Sequence, residues 1–259
     1  MSDKRLKTNF CELTGVKYPI VQTGMGWVAG PSLVIATCQA GALGILAAAT
    51  LTFDEMVKAI EEIKKNTDNP FGVNLRTDAI DIESRVEHLI ESQVPVASFA
   101  QAPTQRIVER LKEAEVIVIP TVGAARHAEK VAELGVDAVI AQGSEGGGHT
   151  GVIPTSLLIP QVIDSVKVPV IAAGGFTDGR GLAAALAWGA SGIAMGTRFL
   201  LTSESDVPEN VKNVYLSTSS TQTVVTKAID GAPQRVISNK MVEPVSYTHL
   251  RAHETSLHL

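Results

Sequence analysis

The residues best suited to chemistry fall in one stretch, "QGSEGGGHTG" at 142–151, where three glycines precede a single histidine. Glycine lets a backbone come close to a flat ligand, and imidazole is the side chain whose charge changes near neutral pH. A glycine run is entropically costly unless something holds it, so His149 reads as a catalytic group rather than a solvated loop residue. Two other loops, "AAGGFTDGRG" at 172–181 and "MGTRF" at 195–199, carry Gly174, Gly175, Gly196 and Thr197. Such loops present backbone N–H groups of the kind that grip a phosphate. The alternative, a plain tight turn at Gly174-Gly175, does not explain why both loops carry the pattern. Asn74 interrupts the apolar run "FGVNL", where it either bonds a ligand or caps a neighbouring loop.

These loops must be positioned by regular elements. From residue 19 to 200, short β-branched apolar runs alternate with longer amphipathic or Ala-rich segments, which predicts βα units. Candidate strands are 19–25, 43–49, 71–76, 94–100, 116–122, 137–143, 168–174 and 192–199. Helical segments fall near 31–40, 52–66, 83–92, 104–114, 124–134, 156–165 and 179–188. The clearest helix opens with Thr52-x-x-Glu55, a capping box, and repeats Met56, Ile60 and Ile63 on one face. Eight strands with intervening helices predict an α/β fold, a (β/α)8 TIM barrel, and in that fold the loops after the strands carry the active site.

The first loop, "TGMGWVAG" at 23–30, matches the G-x-G-x-x-A spacing of a dinucleotide-binding turn. Such a turn expects an acidic residue about twenty positions on, at the end of the second strand, to hold a ribose. Here that region reads "LAAAT" (46–50), so Gly24 and Gly26 are read instead as letting a ligand approach the top of the first barrel strand. No G-x-S-x-G nucleophile motif is present.

Composition narrows the classes further. The 259 residues are 45% hydrophobic and 19% charged, enough for a large core. A net charge of -5, without a Lys/Arg cluster interleaved with aromatics, argues against a nucleic-acid partner. Residues 18–53 contain no charge, but Pro19, Gly24, Gly26, Gly30, Pro31, Gly41 and Gly44 divide them into strand-length pieces, so no membrane span is expected. Cys11 and Cys38 form no metal-ligand spacing, no metal site is predicted, and a cytoplasmic location follows. The barrel is expected over 10–202. An eighth helical region and the start of a small, apparently truncated second domain covering the substrate are expected over 203–245. "VSYTHLRAHETSLHL", at the end of the chain, changes character abruptly, so 246–259 is read as a non-native tail and set aside from the site.

Together, "YPIVQTGMGWVAG", "PFGVNL", "AQGSEGGGHTG" and "PVIAAGGFTDGRGLAAALAWGASGIAMGTRFL" resemble the FMN-dependent nitronate monooxygenases, formerly 2-nitropropane dioxygenases, over about residues 10–240. They also resemble the related flavin-dependent enoyl-ACP reductases. The resemblance implies an FMN whose phosphate lies on Gly174, Gly175, Gly196 and Thr197. Its ring would rest near Gly24, Met25 and Gly26 and meet Asn74, Gln142 and Gly148. His149 matches the family's active-site histidine and would orient a nitronate, or take the α-proton of a nitroalkane, while O2 is consumed and a carbonyl compound and nitrite form. NAD(P)H-dependent enoyl reduction and a non-catalytic FMN-binding module are the alternatives. A homodimer is one assembly open to such a chain.

Overall fold

The computed structural model describes residues 6–239 and 242. The chain runs through α1 (Asn9–Thr14), β1 (Ile20–Gln22), α2 (Pro31–Gln39), β2 (Leu43–Ala47), α3 (Phe53–Asn66), β3 (Phe71–Leu75), α4 (Ile82–Glu91) and β4 (Val96–Phe99). It continues through α5 (Gln105–Glu113), β5 (Ile117–Val122), α6 (Ala125–Glu133), β6 (Val139–Gln142), β7 (Gly148–His149), α7 (Thr155–Ser165), β8 (Val170–Ala173), α8 (Gly179–Ala187) and β9 (Gly192–Met195). The last elements are α9 (Thr197–Leu200), α10 (Glu209–Ser217), β10 (Thr223–Thr226) and β11 (Gln234–Ile237).

Strands β1 to β6, β8 and β9 close a parallel barrel in that order, with Ile20 of β1 paired to Ile193 of β9. This is the (β/α)8 barrel that the alternation predicts. Alternating side chains divide the core in two. Inward positions such as Val21, Ile45, Val96, Ile140 and Ile171 fill the barrel, and Phe10 and Cys11 of α1 join them. Outward positions such as Leu46, Val73, Ala97, Val139 and Ala172 pack beneath the helices. Gly44 is required in this layer, because a Cβ there would lie 2.7 Å from the carbonyl oxygen of Val34 on α2.

The helices start where their local chemistry says they should. On α3, the Thr52 hydroxyl accepts from the Glu55 N–H at 3.3 Å while Glu55 Oε2 accepts from the Thr52 N–H at 2.8 Å. The largest departures from the predicted elements are at strand ends. The first strand stops at Gln22 because the chain turns through Gly24 and Gly26, and the last stops at Met195, after which Thr197 already opens α9. Helix α10, the eighth helical region expected after residue 202, starts at Glu209 behind Pro208.

Strands β10 and β11 form an antiparallel hairpin, and β11 pairs in turn with β7, Gln234 opposite His149 and Arg235 opposite Gly148. The glycine loop of the barrel thus supplies the third strand of the small sheet. Residues 246–259, read above as a tail, lie outside the described residues. Among the described residues no helix is long and apolar enough to cross a membrane.

One buried charge locks the loop after β2. Arg85, 7% exposed on α4, donates to the carbonyls of Ala48 at 2.9 Å and Leu51 at 2.8 Å and to Asp81 Oδ1 at 2.8 Å. Arg85→Met leaves both carbonyls and the carboxylate without their donor and is expected to cost about 2–4 kcal/mol, read as a lower urea midpoint at unchanged slope.

Candidate active site at the barrel mouth

The inward-facing layer changes character as it nears the C-terminal strand ends. Two residues beyond Gly72, Val96 and Ile140 come Asn74, Ser98 and Gln142, so the barrel's apolar filling ends in a polar floor. Asn74 is buried and its Nδ2 donates to Ser98 Oγ at 3.3 Å. The first loop lies directly on it, because a Cβ at Gly24 would sit 2.5 Å from the Asn74 Cβ. Gly26 is pressed in the same way on Thr50, 2.8 Å from its Cγ2. The next residue, Trp27, is held at φ 60 with its N–H on Thr50 Oγ1 at 3.3 Å.

The Gly174 and Gly175 turn has φ values of 104 and 80, a left-handed conformation that suits glycine. A Cβ at Gly174 would lie 2.8 Å from Thr155 Oγ1 and 2.9 Å from the Gly143 carbonyl oxygen, and one at Gly175 would lie 3.2 Å from the Glu145 Cβ. Strand β8 is paired with β9, which puts this turn beside Gly196 and Thr197. Gly147 closes the group, with a Cβ there 3.7 Å from Thr197 Oγ1, and the Met25 sulfur lies 3.3 Å from the Cβ position of Gly196. The N–H groups of Gly175, Thr197 and Arg198 make no hydrogen bond among the described residues.

The 142–149 loop is therefore laid across both anchoring turns. Glu145 fixes it, accepting on Oε2 from the Thr155 N–H at 2.8 Å and from the Thr155 hydroxyl at 2.5 Å. Burial pushes the Glu145 carboxyl up, but the Thr155 bonds outweigh it and hold the carboxyl below its ordinary value. Gln142 Nε2 donates to the His149 carbonyl oxygen at 2.7 Å, and Gly148 takes φ 70. His149 itself is exposed, its Nε2 2.7 Å from Asp230 Oδ2 on the segment between β10 and β11. The eleven residues singled out from the sequence lie at or just beyond the C-terminal ends of β1, β3, β6, β8 and β9. Glu145, Thr155, Asp230 and Gln234 were not singled out. Glu145, set between serine and glycine in the same loop, carried a visible signal, whereas the others needed the fold.

Cys38 is buried on α2, outside this mouth, and burial raises its thiol to about 11, which makes it a poor nucleophile. His88, on α4 and outside this mouth, is partly buried, packing edge-on against Phe53 at 5.8 Å with its Nε2 3.1 Å from Ser92 Oγ.

A closed parallel barrel whose C-terminal mouth pairs glycine turns with one imidazole defines a (β/α)8 enzyme, and the comparisons make it an oxidoreductase. The sequence profile of nitronate monooxygenase matches residues 7–85 and 77–257, and the chain belongs to that family. It is 60% identical over 242 residues to (3aS,4S,5R,7aS)-5-hydroxy-7a-methyl-1-oxo-octahydro-1H-indene-4-carboxyl-CoA dehydrogenase of Mycobacterium tuberculosis, covering 92% of this chain and 68% of that one. The structure of FabK from Thermotoga maritima superposes with a TM-score of 0.90 at 39% identity, over 96% of this chain and 80% of that one. Nitroalkane oxidase from Streptomyces ansochromogenes follows with a TM-score of 0.84 at 32% identity, over 90% and 79%.

Because the Glu145 carboxyl titrates below its ordinary value in the folded chain, the stability it confers is complete above that value. It is lost as pH falls from there towards the depressed one. Glu145→Ala is expected to flatten the acid side of a stability profile, below the ordinary range of a glutamate carboxyl, measured as urea midpoints.

Proposed function

We propose that the barrel mouth binds FMN and that the chain oxidises a carbon acid, a coenzyme A thioester of an alicyclic carboxylic acid first among them. The observation that carries this reading is the convergence of the 142–149 loop, which ends in His149, on the two glycine turns, where the N–H groups of Gly175, Thr197 and Arg198 are unpaired among the described residues. The residues suit a phosphorylated flavin. A phosphate fits the N–H groups of the Gly174-Gly175 and Gly196-Thr197 turns, and a flat ring fits the backbone of Gly24, Met25 and Gly26, above Asn74 and Gln142 and beside Gly148. Bound there, the flavin supplies the two-electron acceptor.

The protein's part is positioning and proton transfer. A C–H beside a thioester carbonyl is acidic, and His149 is placed to take that proton, leaving the C–H electron pair on the substrate. The thioester is put first because the relative at 60% identity is a coenzyme A thioester dehydrogenase, closer than the nitroalkane oxidase at 32%. Nitronate oxidation by O2 to a carbonyl compound and nitrite is the second reading. It is supported by the family profile and by chemistry, since a nitro group acidifies its neighbouring C–H in the same way.

The purified chain is expected to be yellow and to release a flavin bearing a phosphate on denaturation; a colourless protein overturns the reading. Anaerobic mixing with an alicyclic acyl-CoA should bleach the flavin. Efficient nitrite release from ethyl nitronate in air, without such bleaching, would favour the second reading, and rapid bleaching by NADH would favour enoyl reduction. His149→Ala should slow bleaching by about 10²–10⁴ at unchanged flavin content; unaltered turnover would leave a binding module. Gly174→Ala, which forces a side chain onto Gly143 and Thr155, should lower flavin occupancy at least about tenfold, measured by absorbance ratio.

A further inference from the structure

We infer that Asp230, delivered from the small sheet 81 residues along the chain, is the positioning residue that sets the tautomer and direction of the His149 ring. This rests on His149 acting as proposed above. Three contacts fix the imidazole. Its backbone is held twice, by pairing of β7 with Gln234 of β11 and by Gln142 Nε2 donating to the His149 carbonyl oxygen at 2.7 Å. Its ring is held once, by Asp230 Oδ2 at 2.7 Å from Nε2.

The carboxylate is itself prepared. Asp230 Oδ1 accepts from the Ala232 N–H at 3.1 Å, which shapes the turn between β10 and β11. Gln234 Nε2, a donor only, lies 3.2 Å from His149 Nε2 and also bonds to Asp230, so with the proton on Nε2 its N–H serves the carboxylate and not the ring. The Gln234 side chain, the Ala232 N–H and His149, in that order, hold the Asp230 carboxyl below its ordinary range, so it stays ionised when the imidazole is neutral. Arg76, which pairs with Asp78 after β3, is the further charge whose field reaches Asp230. Glu145 and Arg235 act on one another within the same loop cluster.

An ionised carboxylate only accepts, so the neutral ring must carry its proton on Nε2, leaving the Nδ1 lone pair free. When Nδ1 takes a proton from the substrate carbon, the C–H electron pair stays on the substrate as an enolate or nitronate, and the new imidazolium charge lies against Asp230. The pair is side-chain exposed by 64% and 43%, so its part is direction and proton placement rather than fold stability. The hairpin is thereby a component of the active site and not only a neighbour of it.

Asp230→Asn is the test, since an Asn Oδ1 can still accept from Ala232 and keep the turn. Heteronuclear NMR of the His149 ring in the full chain should show the Nε2–H tautomer less populated. Bleaching by substrate should fall roughly ten- to a hundredfold at near-constant KM, with Asp230→Glu restoring most of it. In a His149→Ala background, Asp230→Asn should add nothing. An unchanged tautomer in Asp230→Asn, with the fold confirmed by circular dichroism, overturns the inference. A shifted tautomer alongside a fully active His149→Ala supports the pair and overturns His149 as the base.

Discussion

The site depends on one contact made twice, the seating of the 142–149 loop on the glycine turns after β8 and β9. Gly143 meets Gly174 backbone to backbone, and Gly147 reaches Thr197. The first approach does not tolerate a side chain on Gly174 without displacement, and the second is an ordinary contact. A loop of glycines has no side chains with which to hold itself, so Glu145 and Thr155 supply the fixing bonds and α7 becomes its anchor. The flexibility that permits close contact with a ligand is thus confined to the few residues that need it.

The barrel accounts for the rest of the geometry. Parallel strands bring Asn74, Ser98 and Gln142 into one inward layer at the same height, although 24 and 44 residues separate them in the chain. Below that layer the inward filling is apolar, from Val21, Ile45, Val96, Ile140 and Ile171. The change from apolar to polar within two residues of each strand end is what converts a packed core into a binding floor.

Much of this was legible in the sequence, for identifiable reasons. Strand and helix alternation survives as periodicity, and the glycine pairs and His149 stand out from their surroundings, so the barrel and the glycine loops at its strand ends could be read in advance. What could not be read depended on distance along the chain. Asp230 and Gln234 lie in a polar segment with no motif, and only the antiparallel pairing of β11 with β7 brings them to His149. Helix α1 was overlooked because six residues are too short to show a period, and β7 because two residues show none. The extent of β9 was misjudged because Gly196 and Thr197 continue an apolar run while already starting a helix.

Helix α1 has its own consequence. Phe10 is completely buried and packs with Cys11 and Val16 against the strand residues inside the barrel, opposite in character to the polar floor. With the lower end closed by an aromatic ring and the middle filled by aliphatic side chains, the barrel is, among the described residues, a packed core and not a pore. On the function proposed above, whatever binds at the mouth would arrive and depart from that same end.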